Sequence, residues 1–111
     1  PVKAALESSV VYLAKSFSHF SHIRFNALCL GFLKTSAAAG IPKFMKYYAF
    51  SEKLTFRKRA LDTAEAANII AFMMSNKSSA INAQTITADA GLSVNWFDEE
   101  IVDSVEKTLF S

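Results

Sequence analysis

The residues best placed to do chemistry lie in Ile23–Ile41, IRFNALCLGFLKTSAAAGI. An apolar run breaks at Gly31, and Lys34, Thr35 and Ser36 follow before a small-residue segment closes at Gly40. A strand that ends in a glycine turn, with hydroxyls and an ammonium just beyond it, has the form of a crevice mouth in an open α/β sheet. His19 and His22 stand three residues apart, a spacing a metal pair could use, but no third or fourth ligand accompanies them. They are expected to be surface residues ending a helix. The single cysteine, Cys29, falls inside the predicted strand and is expected to be a buried, inert thiol, which fits a reducing compartment.

Other elements must position these groups. Leu6, Val10, Leu13, Phe17 and Phe20 recur at helical spacing, predicting a helix over 3–20. Ala4, Ala5, Val11, Tyr12 and Ala14 give that helix a second apolar side, so it needs cover on two faces, from a sheet and from a partner subunit. Residues 23–30 become continuously apolar, as suits a strand buried on both faces of a parallel sheet. Pro42 is expected in the first turn of the next helix, over 42–54, where Phe44, Met45, Tyr47, Tyr48, Phe50 and Leu54 make an aromatic lining. Asp62 and Glu65 have capping-box spacing, opening a helix whose buried stripe is Ala66, Ile69, Ile70, Met73 and Met74. Gln84–Ala88 alternates as a short strand, and Asp89-Ala90-Gly91 turns away from it. Asp98–Phe110 reads as an amphipathic helix that docks on a neighbouring surface.

Length and charge bound the rest. With 111 residues, 51% of them hydrophobic, the chain is at most one domain and too apolar for disorder. From Asp98 onward five acids face only Lys107, a net of −4, so the remainder carries +6. Much of that excess is Lys43, Lys46, Lys53, Arg57, Lys58 and Arg59 against Glu52 alone, a patch suited to an acidic partner. No signal peptide or membrane-length apolar run is present, so a cytoplasmic protein is the default. The chain opens on Pro1-Val2-Lys3 without an initiator methionine and is expected to be a piece of a longer protein. The order helix–strand–helices–strand–helix is the C-terminal portion of a doubly wound, Rossmann-type α/β parallel sheet. Residues 1–93 are expected to form that half-domain and 94–111 a helical tail.

Pro1–Ser8 with Tyr12-Leu13-Ala14, Ile23-Arg24-Phe25-Asn26-Ala27, Gly31 with Lys34-Thr35, Ala37–Ile41, and Ile81 with Asp89-Ala90-Gly91 together resemble the short-chain dehydrogenase/reductase superfamily. Within it, the similarity is greatest to bacterial NADH-dependent enoyl-acyl-carrier-protein reductases. The resemblance implies hydride transfer from NADH, or alternatively NADPH, to an enoyl thioester held on acyl carrier protein. It implies a homo-oligomer, a tetramer at full length, with no nucleic-acid or membrane partner. Lys3 is then the catalytic-site lysine that binds the nicotinamide ribose hydroxyls. Gly31, Phe32, Leu33 and Thr35 join it in holding the cofactor, while Ala37, Ile41 and Phe44 line the acyl pocket.

The resemblance also marks departures. Neither the glycine-rich phosphate turn nor the active tyrosine lies within these 111 residues, so this stretch alone is expected to be inactive. The family tyrosine falls before Pro1 at either known spacing: seven positions ahead of the lysine, with six residues between, in enoyl reductases, and four, with three between, in carbonyl reductases. Phe32 stands where proline is usual and Leu30 where a small residue is usual. Ala83 and Ala90 replace common glycines, so the backbone there is expected to avoid conformations that need glycine. A 3-oxoacyl reductase and a non-catalytic interaction paralogue are the alternatives.

Overall fold

The computed structural model describes residues 2–33, 40–96 and 98–110. Helix α1 spans Val2–Ser18, strand β1 Ala27–Leu30, α2 Phe44–Leu54, α3 Thr63–Met73, strand β2 Thr85–Ala88 and α4 Glu99–Phe110. Short 3-10 turns occupy Asn76–Ser78 and Leu92–Val94. β1 and β2 pair in parallel, with Ala27 opposite Thr85 and Leu30 opposite Ala88. Parallel pairing demands a long crossover, and the intervening helices supply it. The architecture is α/β, as expected.

The chain divides into two compact units, Pro1–Leu30 with Asp62–Ala88 and Gly31–Leu61 with Asp89–Ser111. In the first, Ala14 and Ala66 are buried, and the Phe17 ring lies 5.0 Å from those of both Phe20 and Phe25. The capping box at Asp62 and Glu65 is formed, with the Asp62 amide donating to Glu65 Oε1 at 2.9 Å. Ile70 and Met74, expected in the buried stripe of α3, are exposed. The helix buries Ala66 and half-buries Ile69 and Met73, a narrower stripe than the hydrophobic pattern suggested.

Strand β1 is shorter than 23–30. Side chains share the bonding ahead of Ala27 with one backbone bond, from the Ala83 amide to the Phe25 carbonyl: Asn82 Oδ1 accepts from the Phe25 amide, and Asn26 bonds both the Ile81 carbonyl and the Gln84 amide, each at 3.0 Å. Arg24 donates to the carbonyls of Met73, Ser75, Ser78 and Ile81 and to Ser78 Oγ. A half-buried guanidinium thus gathers the orphan carbonyls left where α3 ends. Cys29 is half-buried rather than buried, because β1 has a paired neighbour on one edge only among the described residues.

In the second unit, α2 starts at Phe44 instead of Pro42. Lys43 sits at φ 64°, in the left-handed region, and breaks the helical path between the proline and Phe44. Ala83 and Ala90 also depart from expectation. Their φ values are 61° and 57°, so the chain keeps the left-handed turns where the family commonly places glycine and carries alanine there under strain. Ala83→Gly and Ala90→Gly should each stabilise the protein by about 0.5–1 kcal/mol, after allowing for the greater unfolded-state freedom of glycine. Thermal unfolding of each variant checks this, and a lower melting temperature for both contradicts it.

Candidate functional site

The loop leaving β1 begins at Gly31, where a side chain would be crowded. A Cβ there would come within 3.2 Å of the Asp89 Cα and Cβ, tighter than ordinary packing. Glycine is therefore needed for close approach of backbone to backbone. Asp89 anchors the opposing turn: Oδ1 accepts from the Gly91 amide and Oδ2 from the Ser93 amide, both at 3.0 Å. Ala90 and Gly91 follow in the left-handed region, and the Ala90 carbonyl accepts from the Phe56 amide at 2.9 Å. This turn carries Leu92 to a cavity of about 540 Å³.

The cavity is apolar on nearly every side. Phe32, Ile41, Pro42 and Leu92 line it beside the α2 residues Phe44, Tyr47, Phe50, Ser51 and Leu54. Phe44 is buried and stacks obliquely on Tyr48, centroids 5.8 Å apart. The 44–47–50/51–54 spacing places one helical stripe along the wall. Of the residues expected at the acyl pocket, Ile41 and Phe44 both line this cavity, while Ala37 lies outside the described residues. Phe32, expected at the cofactor, is also in the wall. Leu33 is half-buried just after it, and Thr35 lies outside the described residues. Tyr47, Phe50 and Leu54 were visible as an aromatic stripe in the sequence; Leu92 carried no signal, because only the long-range turn at Asp89 delivers it.

Lys3 belongs to the other unit, on the exposed first turn of α1. Nothing among the described residues pairs with its ammonium, which leaves three donors uncommitted. That donor set suits the adjacent hydroxyls of a ribose. The basic segment is less uniform than its sequence. Arg57 donates to the carbonyls of Arg59 and Ala60, and Lys58 pairs with Asp98, so both serve local structure. Lys43, Lys46 and Lys53 are exposed and interleave with the cavity-lining residues of 41–54. His22 is exposed beside a polar hollow with Ser21, Asn76, Ser79 and Asn82, and no cluster of three potential metal ligands occurs among the described residues. No helix among them is long and apolar enough to cross a membrane.

Asp89 titrates below the ordinary carboxylate value. Burial would raise its pKa, but hydrogen bonds from the Ser93 side chain and from the Ser93 and Gly91 amides outweigh that and hold it below 3.8. A folded value below the unfolded one stabilises the fold above the ordinary carboxylate range, and this contribution is lost as pH falls through the folded value. Stability should therefore drop in acid below about pH 4, and Asp89→Asn should flatten that limb. Urea midpoints from pH 6 to pH 2.5 test this; parallel acid limbs for the two proteins would contradict it.

Residues 1–93 match the family model described as enoyl-(acyl carrier protein) reductase. The chain is 33% identical over 97 residues to the NADH-dependent enoyl-[acyl-carrier-protein] reductase of Escherichia coli, covering 87% of this chain and 37% of that protein. It is also 33% identical over 89 residues to the NADPH-dependent enzyme of Staphylococcus aureus, covering 80% and 34%. Its fold is similar to the crystal structure of the NADH-dependent enoyl reductase from Aquifex aeolicus, with TM-score 0.71 and 29% identity over 83% of this chain and 35% of that one. The chain belongs to the enoyl-acyl-carrier-protein reductase family, within the Rossmann-type short-chain dehydrogenase/reductase superfamily. It spans about a third of the length of the relatives it matches.

Proposed function

We propose that the protein carrying this chain is an enoyl-thioester reductase of fatty-acid synthesis, acting on carrier-bound trans-2-enoyl groups. The observation that carries this reading is the apolar cavity, whose wall includes Ile41 and Phe44, two of the residues that the family resemblance implies for the acyl pocket. Its size falls in the usual range for small-molecule sites. An alkyl chain placed there meets an almost wholly apolar lining.

Lys3, the Leu33 backbone and the Thr35 hydroxyl would hold a nicotinamide dinucleotide, with Gly31 and Phe32 shaping the loop. When bound, the dinucleotide supplies the hydride. The Lys3 ammonium orients ribose hydroxyls by hydrogen bonding, and its charge favours a strongly donating phenol from the family tyrosine. Gly31 holds the loop against Asp89. α2 covers the acyl chain and excludes water, as lids do in many enzymes. Exposed Lys43 and Lys46 supply positive charge for an acidic carrier. In this reading residues 1–93 contribute the lysine helix and substrate loop, and residues 94–111 a helical appendage.

The native protein should consume NADH or NADPH with crotonyl thioester and turn over acetoacetyl thioester at least about a hundredfold more slowly, as expected when only one substrate's transition state is matched. Absorbance at the reduced-nicotinamide band provides the assay. Preference for the 3-oxo substrate would reassign the protein to carbonyl reduction. Cofactor binding without either turnover would assign it a non-catalytic role.

A further inference from the structure

The acyl cavity has a neighbour in the same unit. A hollow of about 430 Å³ lies between α2 and α4, lined by Phe50, Lys53, Glu100, Ser104 and Val105. Among the described residues, Phe50 alone lines both this hollow and the cavity walled by Ile41 and Phe44. Helical geometry gives the reason. At about 100° per residue, Leu54, Tyr47, Ser51 and Phe44 fall within about 120° to one side of Phe50, and Lys53 about 60° to the other. Phe50 therefore stands on the border between the two spaces, and with 54% of its surface exposed its ring is free to change rotamer quickly.

The far wall is held in place at its root. Asn95 Nδ2 donates to the Leu54 carbonyl at 2.6 Å, and Lys58 pairs with Asp98, so the start of α4 is tied to the end of α2. The hollow is apolar at Phe50 and Val105 and polar at Lys53, Glu100 and Ser104, all three exposed. A lysine stem lies along apolar surface while its ammonium stays in water. Hydrocarbon entering here is covered without any charge being buried. The family match ends at residue 93, ahead of α4, so this wall is an addition to the part shared with the family.

We propose that the tail of a long acyl chain leaves the first cavity past the Phe50 ring and ends in the hollow between α2 and α4. The substrates are then long-chain 2-enoyl thioesters, and Phe50 is the residue that sets chain-length preference. The inference rests on the acyl assignment of the first cavity and names the substrate class of that same site. Each methylene that leaves water beyond Phe50 adds to binding, so long chains gain over short ones. A short chain ends before Phe50 and gains nothing from α4.

The test gives the native protein a hexadecanoyl pantetheine thioester carrying a diazirine at the far end of its chain. Irradiation should label residues 100–105. Labelling confined to 32–54, leading elsewhere or absent overturns the proposal. Turnover is a second readout, taken as kcat/KM for trans-2-hexadecenoyl thioester divided by that for crotonyl thioester. Phe50→Ala widens the passage and should raise this ratio; Ser104→Trp fills the hollow and should lower it about tenfold. Misfolding cannot move the two variants in opposite directions, and ratios that move together or stay unmoved overturn the proposal. Label on α4 without turnover of any enoyl thioester removes the reductase reading and leaves the acyl route standing; turnover without that label does the reverse.

Discussion

Arg24→Met should cost about 2–3 kcal/mol of stability, the range for losing the hydrogen bonds of a charged, half-buried donor and leaving part-buried carbonyls without it. Nη1 donates to the Ser78 carbonyl at 2.6 Å and the Ile81 carbonyl at 2.9 Å. Nη2 reaches the carbonyls of Met73 and Ser75 and the Ser78 hydroxyl at 3.1–3.3 Å. Met fills similar volume but leaves four carbonyls without these donors. The hydroxyl of Ser78, itself fully buried, keeps only its local bonds to the Met73 and Ser75 carbonyls. Lys restores charge but offers one point of donation in place of a planar fork, so Arg24→Lys should recover less than half of the loss. Against the 5–15 kcal/mol typical of a domain, such a loss is a large fraction of the total. Urea denaturation followed by circular dichroism gives the value; a change under 1 kcal/mol would mean that water replaces the guanidinium at little cost.

That cluster also marks where the sequence stopped being legible. The helices were readable because their signals are local: apolar spacing for α1, and Asp62 with Glu65 for the start of α3. The parallel sheet followed from two short β-prone runs separated by helices. The start of β1 was not readable, since it depends on Asn26, Asn82 and Arg24 bonding backbone more than 45 residues away. Lys43, Ala83 and Ala90 hold left-handed conformations that their side chains disfavour, so residue type pointed the wrong way at all three. Ile41 and Phe44 could be named for the pocket through family resemblance, and Phe32 could be singled out as unusual. That these three share a wall with Leu92 depends on the Gly31–Asp89 approach, which local sequence does not encode.

Lys3→Met should lower kcat/KM of the native protein for an enoyl thioester by about 10²–10³, the usual cost of deleting one positioned electrostatic donor. The side chain is exposed on the first turn of α1, and no described residue engages its ammonium. Its removal should therefore change stability by no more than about 0.5 kcal/mol, and the loss cannot be blamed on misfolding. Binding offers a second readout. An ammonium hydrogen-bonding ribose hydroxyls contributes about 1.5–3 kcal/mol per charged bond, so NADH affinity measured by fluorescence should fall at least about tenfold. Lys3→Arg keeps the charge but alters the geometry; it should retain more binding than turnover, because placing the phenol's proton depends on finer positioning than holding a diol. If Lys3→Met instead binds and turns over within about threefold of the parent, less than 1 kcal/mol, the amine is an ordinary surface charge. The chemical role assigned to the start of α1 then passes to residues outside this chain.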